Sequence, residues 1–95
     1  MGKSIKLPVN CPSCEGKLKV NTLNCDICGT NVNGSFELPI LARLESDEQD
    51  FVLHFMKQSG SLKEMARHLG LSYPSVRNKL DGIISNIIEL ESIQL

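Results

Sequence analysis

The chain has 95 residues, 41% of them hydrophobic, with 10 basic and 11 acidic side chains and a formal net charge of -1. That size suits one ordinary domain or two very small ones, and so short a chain buries little of its unfolded surface without a metal, a partner or both. The apolar fraction argues against intrinsic disorder, and the charge total advertises neither nucleic acid nor an anionic membrane as a partner.

The distribution of charge says more: +2 over residues 1–36, -4 over 37–50, +3 over 51–81 and -2 over 82–95, so the basic excess sits in two places. At the N-terminus, Lys3 and Lys6 are followed by Pro8, Asn10 and Cys11, which interrupt before any stretch long enough for a secretory h-region. From Leu80 to Leu95 the run is broken by Asp81, Ser85, Asn86, Glu89 and Glu91, far short of the roughly 20 apolar residues of a membrane span. The expectation is a cytoplasmic chain, away from membranes, whose thiols stay reduced.

Three segments follow in order: 1–36, a candidate zinc ribbon; 37–46, an apolar strap; and 47–95, a candidate helix-turn-helix domain with a C-terminal dimerisation helix. In the first, alternation at Lys17 to Val20 and Val32 to Phe36 predicts two short strands. Cys11-Pro-Ser-Cys14 and Cys25-Asp-Ile-Cys28 are two C-x-x-C pairs with ten residues between them. Two tight turns can each present two thiolates to one ion, closing a tetrahedral shell at Zn–S distances of about 2.3 Å with no position left for water or substrate. One structural Zn²⁺ held by Cys11, Cys14, Cys25 and Cys28 is therefore expected. Rival readings are two disulfides, a redox C-x-x-C and a rubredoxin-like iron site. A reducing cytosol disfavours the first, the second lacks a βαβ context, and the ligands alone do not separate iron from zinc. His54 and His68 read as ordinary helix residues, since four thiolates already fill the shell.

The strap, Phe36 to Leu44, is too apolar for a free linker and is expected to pack between the halves. Ser46 then reads as an N-cap with Gln49 three residues on, opening a first helix to about Gln58 whose inward stripe is Phe51, Val52, Phe55 and Met56, with Gly60 as its stop. Ser61 and Glu64 form an S-x-x-E capping box for a second helix that ends at Gly70. Ser72 caps a third, with Pro74 tolerated in its first turn.

Ala66, Gly70, Leu71, Val76 and Leu80 fall at helix-turn-helix spacing: Ala66 allows close approach, Gly70 makes the turn, Leu71 plugs the gap, and Val76 and Leu80 hold the third helix on the second. With Val76 inward and about 100° per residue, Pro74, Ser75, Arg77 and Asn78 point outward, with Tyr73 and Lys79 on the flanks. Arg and Asn suit guanine and adenine edges, while Lys63, Arg67 and Lys79 suit phosphates. Asp81 opposes that attraction. The bland alternative is a trihelical protein-interaction domain without DNA binding.

Val76, Leu80, Ile83, Ile87 and Leu90 repeat at heptad spacing, widened by Ile84 and Ile88. A long third helix would expose this face, so a homodimer through Leu80, Ile83, Ile84, Ile87 and Leu90 is expected. In the alternative, the stripe folds back onto the first helix of the same chain.

The pattern from Ala66 through Gly70-Leu71-Ser72 and Ser75-Val76 to Leu80 resembles the helix-turn-helix of sigma-factor region four and of response-regulator output domains. The whole chain resembles a small prokaryotic family of unknown function, in which a four-cysteine zinc ribbon precedes a Phe-Glu-Leu-Pro strap (Phe36 to Pro39). A helix-turn-helix follows, with Leu-Lys-Glu (Leu62 to Glu64), Leu69-Gly70 and Ser-Tyr-Pro-x-Val-Arg (Ser72 to Arg77). Glu15 departs from the usual knuckle, where glycine is common after the second cysteine. The resemblance implies a small α+β fold, a short-stranded zinc ribbon followed by a three-helix helix-turn-helix with a long last helix.

Function is expected to be DNA-binding transcriptional regulation on double-stranded DNA. The alternative is an adaptor that docks on RNA polymerase or a sigma factor without reading bases. An enzyme is not expected: the chain has no phosphate-cradling glycine loop, no spaced nucleophile and base, and no open metal position.

Overall fold

The computed structural model of the chain describes residues 7–93. Lys3 and Lys6, and with them the secretory-signal reading, lie outside the described residues. Strands β1 (Val20–Asn24) and β2 (Asn31–Phe36) are followed by a 3₁₀ turn (Ile40–Arg43) and helices α1 (Ser46–Lys57), α2 (Leu62–Leu69) and α3 (Tyr73–Ile93). Two compact units divide between Arg43 and Leu44.

In the first unit β1 and β2 form an antiparallel hairpin with Leu23 opposite Val32 and Asn24 opposite Asn31. The register steps from Thr22↔Asn33 to Val20↔Phe36, which leaves one extra residue on β2 at Gly34-Ser35, a bulge. A Cβ at Gly34 would lie 2.7 Å from Cζ of the Phe36 ring, so a side chain there would have to displace that exposed ring. The expected first strand at 17–20 is displaced. Lys17 bridges to Asn10, and Leu18 N donates to Val9 O at 2.9 Å, so these residues close a hairpin around the first cysteine pair and β1 begins only at Val20.

The strap closes on itself. Arg43 is buried, with its Nε donating to Leu38 O at 2.8 Å and Nη2 to Glu37 Oε2 at 3.1 Å. Lys19 adds a looser ion pair to Glu37 at 3.7 Å.

In the second unit the cap of α1 is one residue earlier than Ser46: Glu45 is the N-cap, and Glu48 Oε1 accepts from its amide at 3.1 Å. Gln49 turns back to donate to Leu44 O at 2.8 Å. The inward stripe is narrower than its pattern. Phe51 is buried and stacks on Phe55 one turn away, with ring centroids 6.2 Å apart, but Met56 is 69% exposed. Two left-handed residues, Ser59 and Gly60, end the helix. The Ser61 hydroxyl accepts from Glu64 N at 3.2 Å to start α2, and Gly70 at φ 69 ends it. The Ser72 hydroxyl accepts from Ser75 N at 3.3 Å to start α3.

Leu44, Phe51, Met65, Val76, Ile83 and Leu90 are the buried apolar residues of this unit, Met65 and Val76 completely so. Val76, Ile83 and Leu90 recur every seven residues, so one seam of the 21-residue α3 (about 31 Å) is the core-facing one. The dimer seam is corrected accordingly. Ile83 and Leu90 are buried within a single copy, Leu80 and Ile87 are half-buried, and of the five only Ile84 is exposed, joined by Ile88 at 60% exposure.

Candidate metal centre and nucleic-acid interface

The two C-x-x-C segments fold into the same turn. In the first, Glu15 N donates to Cys11 O and Cys11 N to Gly16 O, both at 2.8 Å; in the second, Gly29 N donates to Cys25 O and Cys25 N to Thr30 O, both at 2.8 Å. The fifth residue of each turn is left-handed, Glu15 at φ 63 and Gly29 at φ 78. This geometry folds the backbone so that the two cysteines of a pair lie side by side, and it aims amides at sulfur. Ser13 N donates to Cys11 Sγ at 3.4 Å.

All four cysteines are free thiols, Cys11 and Cys25 half-buried, Cys14 and Cys28 exposed. The Cys14 and Ser13 amides, followed by the Cys14 thiol, hold the Cys11 thiol below its ordinary pKa. The Thr30 hydroxyl, 3.0 Å from Cys28 Sγ, does the same for Cys28, helped by the Thr30 amide. Thiolate is the ligand form, so donors aimed at these sulfurs suit them to a borderline-soft cation such as Zn²⁺. Each pair is formed, but among the described residues no three His, Cys, Asp or Glu side chains are gathered around one point.

In the second unit α2, the Gly70–Ser72 turn and the first turns of α3 make the helix-turn-helix. Leu71 N donates to Ala66 O at 3.0 Å to close the turn. Leu71 does not plug the gap between helices: it is 39% exposed and lines an open cavity. Lys63, Arg67, Tyr73, Pro74, Ser75, Arg77, Asn78 and Lys79 are all exposed. Several already have partners. Arg67 pairs with Glu64 at 3.5 Å, Arg77 Nε with Asp81 Oδ1 at 3.3 Å, and the Ser75 and Ser72 hydroxyls lie 2.9 Å apart. Asn78 and Lys79 line the same cavity as Asp47, Glu48 and Asp50 of α1.

The pattern of the chain did not reveal this cavity, nor the His54–His68 contact, in which the rings of α1 and α2 tilt together with centroids 5.1 Å apart. The acidic excess of residues 37–50 was its one visible signal, and it reads equally as a solvated helix start.

A profile described as the DUF2089 zinc ribbon matches residues 11–42, and one described as a domain of unknown function (DUF2089)-HTH matches residues 44–89. No curated protein and no solved structure matches the chain. With both of its parts present in order, knuckles before helices, the chain belongs to the DUF2089 family, a zinc ribbon followed by a helix-turn-helix region of unknown function.

Proposed function

We propose that this protein is a DNA-binding transcriptional regulator of the reducing cytoplasm, in which one structural Zn²⁺ draws the two cysteine pairs together and the first turns of α3 meet double-stranded DNA. The observation that carries the reading is the helix-turn-helix itself, with Tyr73, Pro74, Ser75 and Arg77 exposed at the start of a helix anchored by a fully buried Val76. Lys63 and Arg67 on α2 supply phosphate contacts. No catalytic step is part of this reading. Self-association falls to Ile84 and Ile88, the exposed part of the α3 stripe.

The test is fluorescence anisotropy of zinc-loaded protein on mixed-sequence duplex DNA at several salt concentrations, repeated with Arg77→Ala. Binding that weakens linearly in log salt, with a slope near -0.9 per phosphate contact, and that Arg77→Ala weakens, supports the regulator. A folded protein that ignores DNA even at low salt supports the second reading, an adaptor docking on RNA polymerase or a sigma factor. One observation favours that alternative: Arg67 and Arg77 are paired within the chain, while Leu69, Leu71 and Tyr73 present apolar surface beside them.

A further inference from the structure

Within the second unit a cavity of about 550 Å³ lies between α1, the α2–α3 turn and α3. That volume falls in the range of small-molecule sites, roughly 300 to 1,000 Å³. Its floor is apolar, with Phe51, Met65 and Ile83 at the base and Leu71 on the wall. Its α1 side carries three carboxylates, Asp47, Glu48 and Asp50, while the α3 side carries one ammonium, Lys79, and the amides of Asn78 and Asn86. His54 completes the titratable groups facing it. Glu48 is held in place by Asn86 Nδ2, which donates to its Oε2.

Gly82 lies on the α3 side of the cavity. A glycine inside a helix weakens it, and here no close neighbour demands one: a Cβ at Gly82 would meet nothing within 4 Å. The missing side chain leaves open space at the cavity, and filling it would narrow the site.

We propose that this cavity binds a small organic cation, an ammonium or amidinium on an aromatic or branched apolar body. The body would cover Phe51, Leu69, Leu71 and Ile83, and the cationic head would sit among Asp47, Glu48 and Asp50. Three carboxylates against one ammonium select positive charge, and the apolar floor selects against simple inorganic cations and polyamines, which have nothing to place there. Asn78 and Lys79 belong both to the cavity and to the proposed DNA-facing set. Occupancy would therefore be felt at DNA, a consequence that rests on the proposed function, whereas the site itself is tested without DNA.

The experiment is a titration of zinc-loaded, ¹⁵N-labelled full chain with phenethylamine, tryptamine and benzamidine, beside the neutral 2-phenylethanol and the anionic 3-phenylpropionate. The expected result is saturable shifts of the Phe51, Leu71 and Gly82 amides with at least one cation and with neither control. Asp47→Asn, an exposed change at the rim, should weaken that binding roughly fivefold, the scale of one exposed charge pair. Gly82→Leu, which fills open space, should abolish it while the protein keeps or raises its thermal midpoint, since the helix loses an interior glycine. Binding of the anion or the alcohol as tight as the cation, cation shifts that survive Gly82→Leu, or no saturable shift with any of the three cations would overturn the proposal.

Discussion

Glu15 and Gly29 occupy the same place in two turns of matching hydrogen bonding, each donating its amide at 2.8 Å to the carbonyl of the first cysteine of its pair, and each with a positive φ. An L-residue in that conformation is strained by about 1–2 kcal/mol, whereas glycine is not. Glu15→Gly should therefore stabilise the first knuckle, offset in part by the greater freedom of glycine in the unfolded chain, for a net gain of about 0.5–1 kcal/mol. Gly29→Ala should cost about the same. Paired thermal melts of the zinc-loaded variants check both, and a Glu15→Gly that lowers the midpoint would contradict the account.

The two cysteine pairs should take up one Zn²⁺ per chain, measured by elemental analysis of purified protein, and chelation or Cys25→Ser should collapse the NMR dispersion of residues 11–36. Resonances of α1 to α3 serve as the internal control. Acid should act in the same direction. Cys11 and Cys28 have depressed thiol pKa values in the fold, so their contribution is complete above the ordinary thiol pKa and is lost as the pH falls through the depressed value. Ribbon stability that rises on acidification would have the wrong sign.

Arg77 is held 3.3 Å from Asp81 one helical turn on. If the α3 face meets phosphate or base, Asp81→Asn should release Arg77, remove a repulsive charge and tighten duplex binding about three- to tenfold at low salt, with a smaller effect at high salt. Arg77→Ala should weaken binding in the same titrations. Since the pair is exposed, neither change should move stability by more than about 0.5 kcal/mol.

Met65 has no exposed surface, whereas Met56 is 69% exposed. Met65→Ala should cost about 2–5 kcal/mol, a large share of the stability of so small a unit, and Met56→Ala less than about 0.5 kcal/mol. Urea unfolding followed by circular dichroism separates them, since two methionines from neighbouring helices with equal effects would mean that the buried stripe is placed wrongly.

The sequence by itself determined the cysteine knuckles and most helix ends, which depend on residues near one another along the chain. Cys11 to Cys14 and Cys25 to Cys28 name a zinc ribbon because ligand spacing within a turn is local. Ser61 with Glu64, Gly70 at φ 69 and Ser72 with Ser75 fix the ends of α2 and α3 for the same reason. Even there, ambiguity moved one boundary: Glu45 and Ser46 are both able to cap, and the carboxylate of Glu48 chose the earlier one. What only the tertiary structure decided is which apolar residues are spent inside one copy. Ile83 and Leu90 carry the same heptad signal whether they face a second chain or their own core, because periodicity gives a direction around the helix but not the identity of what lies there. The meeting of His54 with His68 and the acidic wall that α1 sets opposite Lys79 and Gly82 are likewise settled by how helices pack. Contacts between distant residues follow from packing whole surfaces together, which no local pattern encodes.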